Sequence, residues 1–280
     1  MRQIKTDKII KAVKELCMSI NYKLPQDTVE ALKKALKNEV SALGKEVLKQ
    51  ILDNNKIASS ELVPLCQDTG VVIAFIELGQ EVHIIGNSLN EAIDEGVRQG
   101  YKEGSLRKSI VKDPLNRKNT GDNTPAVIHV KLTRGDKLRI DLMVKGAGSE
   151  NMSAISMLAP SDGIEGIEKF VIDTVRKAGA NPCPPIVVGV GIGGTFEQVA
   201  LLAKKALLRP LNLKNTDSVY DRLEKKLLKE INKLGIGPQG FGGRISALAV
   251  HIKKMPCHIA SLPVAVNINC HVARHGSIVL

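Results

Sequence analysis

Apolar residues recur every three or four positions over 4–20 and again over 27–52, which predicts two amphipathic helices at the start of the chain. Gly44 falls inside the second stretch and weakens its continuity. An almost unbroken apolar run over 71–78 has the character of a strand buried on both faces, and 83–86 reads as a short companion. Ser88 is placed to cap a helix over 89–101. Two β-prone runs, 126–133 and 138–144, flank Arg134-Gly-Asp-Lys137, and that spacing predicts a hairpin. Further on, the pattern predicts helices over 163–177, 196–208 and 217–234, and strands over 186–190, 245–252 and 264–268. The glycine cluster over 235–243 reads as a mobile loop or a tight turn. No internal repeat, low-complexity segment or linker interrupts this alternation. The expected fold is therefore α/β, one domain over 1–280, with mixed β-sheets flanked by helices and a helical N-terminal part over about 1–60.

Composition adds little to the fold but narrows the function. A chain of 280 residues with 43% hydrophobic and 25% charged positions has material for a sizeable core. No apolar run is long enough to span a bilayer, and Met1-Arg-Gln-Ile-Lys-Thr-Asp-Lys lacks the apolar centre of a signal peptide, so a cytoplasmic chain is expected. The 40 basic and 29 acidic side chains leave a net charge of +11, which suits nucleic acid, small anionic substrates or an acidic partner subunit. Nucleic acid is disfavoured, because no basic run is interleaved with stacking aromatics.

Several polar segments fall between the predicted elements. Leu65-Cys-Gln-Asp-Thr-Gly70 sets a thiol, an amide and a carboxylate side by side before a glycine. Lys145-Gly-Ala-Gly-Ser-Glu-Asn151 offers backbone N–H groups that can cradle a carboxylate or phosphate. Arg107 can clamp a carboxylate with two parallel hydrogen bonds. Gly189-Val-Gly-Ile-Gly-Gly194 satisfies the dinucleotide pattern G-x-G-x-x-G. It lacks the acidic residue about 20 positions on that such a site requires, although its N–H groups can face a small anion at a helix start. Five cysteines, in a chain with no secretory signal, argue against a disulfide framework. Cys17 lies on the apolar stripe of the first helix and reads as core, and Cys257 is intermediate. Cys66, Cys183 and Cys270 each stand in a turn-rich setting. They are too dispersed for a zinc motif, which would also want a fourth ligand. Three such thiolates suit an iron–sulfur cluster with one iron left open, though spacing alone does not decide it.

Five motifs then occur in order: Cys66-Gln-Asp-Thr-Gly70, Gly121-Asp-Asn-Thr-Pro125, Lys145-Gly-Ala-Gly-Ser-Glu-Asn151, Asn181-Pro-Cys-Pro-Pro185 and Gly191-Ile-Gly-Gly-Thr195. Together they resemble the alpha subunit of class I, iron–sulfur fumarate hydratases and L-tartrate dehydratases over essentially the whole chain. The resemblance implies that Cys66, Cys183 and Cys270 hold a [4Fe–4S] cluster with one iron not ligated by protein. It implies dicarboxylate contacts at Gln67, Arg107 and Gly148, and catalytic roles for Asp68 and His258. Asn119, Asp122 and Asn123 would support them, whereas Cys17 and Cys257 match no cluster position. Single-chain relatives continue into a second domain, whereas this sequence stops shortly after Cys270. The implied partner is a separate beta subunit that completes the active site and supplies the C–H base, with paired alpha subunits in the assembly and no membrane or nucleic acid. The implied reaction is reversible dehydration of malate to fumarate. L-tartrate or mesaconate hydro-lyase activity is the alternative, and a non-catalytic metal-carrying or structural subunit is the reading from a different class.

Overall fold

The computed structural model describes residues Met1–Leu280. Its contacts group the chain into two compact units, one formed by Met1–Pro25, Asn54–Ala147 and Arg274–Leu280, the other by Gln26–Asp53 and Gly148–Ala273. The architecture is α/β, with mixed sheets flanked by helices and a largely helical start, as the hydrophobic pattern predicts.

In the first unit, a short strand β1 (Arg2–Lys5) leads into helix α1 (Thr6–Tyr22). Strands β2 (Val71–Gly79) and β3 (Val82–Ile85) follow, then helix α4 (Leu89–Glu103), β4 (Val127–Thr133), β5 (Leu138–Lys145) and, at the chain end, β10 (His275–Val279). Ser88 caps α4 as expected, its hydroxyl accepting from the Glu91 N–H while the Glu91 carboxylate accepts from the Ser88 N–H. The apolar stripe of α1 (Ile9, Val13, Cys17, Ile20) and that of α4 (Ile93, Val97, Tyr101) bury against Val72, Ala74 and Ile76 of β2 and the inward residues of β5. Glycine lets the two helices approach closely: a Cβ at Gly96 would stand 2.7 Å from that of Val13.

The predicted hairpin does not form. Strands β4 and β5 exist, but the sheet order is β10-β5-β2-β4, with β2 between them, parallel to β4 and antiparallel to β5. The tetrapeptide at 134–137 instead crosses the end of β2, where Gly79 donates to the Lys137 carbonyl and Glu81 to that of Gly135. The reason is burial: β2 is apolar on both faces and takes the central position, which a hairpin would deny it. A Cβ at Gly79 would lie 2.2 Å from the Gly135 carbonyl, so the crossing requires glycine there.

The second unit contains helix α2 (Gln26–Asn38), part of helix α3 (Ala42–Glu61), the end of the short helix α5 (Ala147–Glu150), β6 (Ala154–Leu158), α6 (Gly163–Ala178) and β7 (Ile186–Gly193). Helices α7 (Phe196–Ala206) and α8 (Ser218–Asn232) and strands β8 (Ala247–Met255) and β9 (Leu262–Asn269) complete it. The helix expected over 27–52 is thus two helices. The break lies at Glu39 rather than Gly44, because the Glu39 carboxylate turns back to accept the N–H groups of Val40 and Ser41 at 2.7 and 2.9 Å.

Sheet order here is β6-β9-β7-β8, with β7 parallel to β8 and antiparallel to β9. The pairing repeats that of the first sheet: a central strand, a helical crossover to a parallel neighbour, then a crossing to the antiparallel side. Again a glycine, Gly193, lies under the crossing chain, where a Cβ would meet the Met255 carbonyl at 2.0 Å. A repeat absent from the sequence is therefore present in the topology.

The dinucleotide-like glycines also find their reason here. Gly189 and Gly191 lie within β7, not in a loop, and a Cβ on either would stand 2.2 Å from a carbonyl of α7 (Ala203 and Val199). They serve close helix–sheet packing, so the N–H groups expected to face an anion are engaged in the sheet. No helix is long and apolar enough to cross a membrane.

Candidate active site

Cys66, Gln67, Asp68 and Arg107 belong to the first unit. The loop 65–70 enters β2 and is held at both ends: Leu65 donates to the Asn21 carbonyl, and Gly70, at φ 71°, lies so close to Lys145 that a Cβ would meet its carbonyl carbon at 2.8 Å. Between them the Asp68 carboxylate gathers two stretches of chain. Oδ1 accepts from Gly70 N–H at 3.0 Å and Oδ2 from Ala147 N–H at 2.8 Å. Asp68 thus ties the Cys66 loop to the chain at Ala147, just after β5, and keeps a second lone pair on each oxygen. The Cys66 thiol lies 3.5 Å from Gln67 Oε1. Thr69 donates to the Arg107 carbonyl at 3.0 Å, which anchors the Arg107 backbone while its guanidinium remains exposed.

The expected supporting residues separate into two kinds. Asn123 is fully buried at φ 64°. Its amide donates to the Gly70 carbonyl at 3.2 Å and accepts from Ser109 N–H at 2.6 Å, which joins the Arg107 segment to the Asp68 loop. Asp122 serves a turn. Burial pushes its carboxyl up, but the N–H and hydroxyl of Thr124 and the Arg98 guanidinium outweigh this and hold it down to about 2. Asn119 does both, accepting from Gly121 N–H at 2.7 Å within its own turn and donating to the Lys108 carbonyl, next to Arg107, at 3.0 Å.

Gly148, Cys183, His258 and Cys270 belong to the second unit. Gly148 sits in α5, where a Cβ would meet only the Asn181 carbonyl, at an ordinary 3.5 Å, so packing does not demand the glycine. Its neighbours are fastened: Glu150 pairs with Lys204 of α7 and accepts from Asn267 of β9 at 2.8 Å, while Asn267 also reaches the Ser153 hydroxyl at 2.9 Å. Cys183 and the Cys270-His271 pair are brought together. His271 N–H donates to the Cys183 carbonyl at 3.4 Å, and its Nδ1 lies 2.9 Å from the same oxygen. His258 is exposed on the turn from β8 to β9, with Nδ1 accepting from Ala260 N–H at 3.1 Å.

No group of three His, Cys, Asp or Glu side chains stands close enough to hold a metal ion. The donor chemistry of the three loop cysteines nonetheless fits a soft, thiolate-bound iron centre. None of them is in a disulfide, Cys183 is exposed, and Cys66 and Cys270 are partly so. Cys17 is the opposite case, fully buried, with desolvation pushing its thiol up to about 12. Cys257 is exposed and lies 3.4 Å from the Ser261 carbonyl within its own turn.

A family model described as fumarate hydratase (Fumerase) matches residues 10–279. The chain belongs to that family. Among its relatives, the putative L(+)-tartrate dehydratase subunit alpha of Methanocaldococcus jannaschii is 47% identical over 275 residues, 96% of each chain. The L(+)-tartrate dehydratase subunit alpha of Escherichia coli strain UTI89 is 33% identical, with 99% of this chain and 92% of that one covered.

Two further residues brace the Asp68 loop, Tyr101 directly and Arg274 through Asn21, whose carbonyl accepts from Leu65. Tyr101, buried at the end of α4, donates to the Thr69 and Gly70 carbonyls at 2.6 and 3.0 Å, and burial raises its phenol so that it stays protonated. Arg274, 1% exposed, donates to Asn21 Oδ1 at 3.0 Å. A Cβ built on Gly146 would lie 3.0 Å from Asp68 and 3.6 Å from the Arg274 guanidinium, so the chain at Gly146 passes close to both side chains. The available signals were a tyrosine in a chain with three, and a lone charge within the apolar tail after Cys270.

Proposed function

We propose that this chain is the alpha subunit of a two-subunit hydro-lyase acting on a four-carbon dicarboxylate, with malate and fumarate as the substrate pair. The family match over 10–279 carries this reading. The reachable thiols of Cys66 and Cys183, each within one of the five motifs, and of Cys270 support it. Cys66, Cys183 and Cys270 would hold a [4Fe–4S] cluster, which when bound supplies an open iron that polarises the departing hydroxyl as a Lewis acid.

The protein's own part follows from charge. Malate carries two carboxylates, and the exposed Arg107 guanidinium suits one of them in a bidentate pair. Gln67 offers amide donors, and Gly148 lets the chain approach the ligand where a side chain would intervene. In the forward step the C–H proton and the neighbouring hydroxyl leave together, giving a carbon–carbon double bond and water. Asp68, oriented by two N–H groups, is suited to pass a proton to the departing hydroxyl, with His258 a second acid–base group. The base that takes the C–H proton would come from a beta subunit, so this chain alone would hold the cluster without turnover. Fixing both partners converts the reaction into an effectively intramolecular one.

The names of the relatives favour a second reading, L-tartrate, whose additional hydroxyl would be read partly by the beta subunit. Anaerobic co-expression with the beta partner, followed by assay against fumarate, malate, L-tartrate and mesaconate, tests both. Turnover of fumarate and malate at the highest kcat/KM is the expected result. Exclusive turnover of tartrate would move the chain to the second reading. A protein without iron or sulfide would return it to a structural role.

A further inference from the structure

The glycine-rich segment at 235–243 has no role in the reaction as proposed, yet it is tightly built. Gly237 and Gly242 meet so closely that a Cβ on the first would stand 2.0 Å from the carbonyl of the second, and Gly242 N–H donates back to Ile236. A Cβ on Gly240 would press within 2.3 Å of that of Ala180, just before Asn181-Pro-Cys183. On its other side the segment is pinned by buried Glu39, whose carboxylate accepts from Arg244 and Ile245 N–H at 2.9 and 2.8 Å. Far from mobile, it is a folded block.

At the tip of this block is Gln239, in the left-handed region at φ 52° although it is not glycine. Such strain in a residue with a Cβ marks a position where the side chain itself is needed. Its backbone N–H donates to the Pro184 carbonyl at 2.8 Å, its Nε2 reaches the same oxygen at 3.0 Å, and Nε2 also lies 3.0 Å from His271 Nδ1. Cys183 adjoins the first contact and Cys270 the second, and Cys183 is itself left-handed at φ 54°. One amide therefore spans the two loops that carry these thiols.

We infer that Gln239 is a positioning residue that fixes the Cys183 loop against the Cys270-His271 loop, so that two thiols are pre-organised before any soft metal arrives. The inference rests on the cluster reading given above, but its test separates the two. Gln239→Gly relieves the backbone strain and keeps the backbone bond, while Gln239→Met fills the same space without a donor. Both are made in a Cys257→Ser background, in which Cys66, Cys183 and Cys270 are the thiols within reach of solvent. Cadmium ion alone is titrated into the anaerobic apo protein and followed by thiolate-to-cadmium absorbance. In parallel, the iron-loaded protein is mixed with a chelator and iron release is timed.

The expected result is cadmium binding about tenfold weaker and iron release about tenfold faster in both variants. The melting temperature should be unchanged or higher for Gln239→Gly. Parental cadmium affinity and iron release in both variants would overturn the inference. So would parental behaviour of Gln239→Met alone, since packing would then suffice, or losses that merely track a falling melting temperature. A parent protein that takes up no iron, but whose cadmium affinity still falls on Gln239→Gly, would sink the cluster reading and leave the positioning role standing.

Discussion

Asp68 in the first unit and Glu39 in the second are built on the same device. Each is a single carboxylate that gathers backbone N–H groups from segments far apart in sequence, Gly70 and Ala147 for one, Val40, Ser41, Arg244 and Ile245 for the other. The difference lies in what each leaves over. Glu39 is 2% exposed and receives four N–H donors, three on Oε1 and one on Oε2, so it is shut off from solvent and its task is to hold the chain. Asp68 receives two, is partly exposed, and sits beside a reachable thiol. A carboxylate that holds chain and keeps lone pairs free can also do chemistry, which is what the role proposed for Asp68 requires.

Replacing each acid by its amide is the sharpest way to break the comparison. Asp68→Asn in the iron-loaded alpha–beta assembly should lower kcat about 10³-fold, the scale of a lost general acid–base group, with iron and sulfide content unchanged. Cluster loss in that variant would make Asp68 a scaffold residue like Glu39. Glu39→Gln should leave kcat per folded molecule intact but cost about 3 kcal/mol in denaturant unfolding, because the amide NH2 faces N–H groups that then lose a charged acceptor.

The acid limb of stability carries the same signature. Burial pushes the Glu39 carboxyl up, yet the four N–H bonds outweigh it and hold it below its usual 4.5. A carboxyl depressed in the folded state contributes stability that is fully present above the unfolded value and is lost as pH falls through the folded one. The parent protein should therefore lose stability on acidification below about 4.5, and Glu39→Gln should flatten that limb in urea melts at stepped pH.

This contrast also explains what was legible in the sequence. Local patterns carried most elements: the stripe of α1, the Ser88 cap and the apolar run of β2 each depend on residues within a few positions. The hairpin failed because strand pairing is non-local, and nothing in Arg134-Gly-Asp-Lys137 reports that β2 outcompetes β4 for the place beside β5. Glu39 was missed for the same reason, since two of its four donors lie some 200 positions away in the chain. The candidate site was legible where its chemistry is contiguous, as in Cys66-Gln-Asp68. Tyr101, Arg274 and Gln239 act through folded proximity and have no local signature.

Glycines divide along the same line. Gly191 is a scaffold glycine, with 2.2 Å between a built Cβ and the Val199 carbonyl of α7. Gly191→Ala should destabilise by about 2 kcal/mol through overpacking, measured by urea unfolding, because a backbone carbonyl cannot rotate away as a side chain would. A nucleotide added to the parent protein should leave its melting temperature unchanged, since these glycines pack a helix.

Gly148 is the counterpart and gives the smallest expected effect on stability. A Cβ there meets one atom at 3.5 Å, so Gly148→Ala should keep the urea midpoint, and relief of backbone freedom within α5 should stabilise it by up to about 0.5 kcal/mol. The catalytic consequence is expected to be separate and larger. A methyl group at a point of close backbone approach holds the dicarboxylate away from its N–H donors, which weakens ground-state and transition-state binding alike. KM should then rise about tenfold with kcat nearly unchanged. A Gly148→Ala enzyme with parental KM would show that nothing binds against this glycine. If KM stayed constant while kcat fell, the contact would instead be one made in the transition state, and Gly148 would rank with Asp68 in the chemistry rather than with substrate holding.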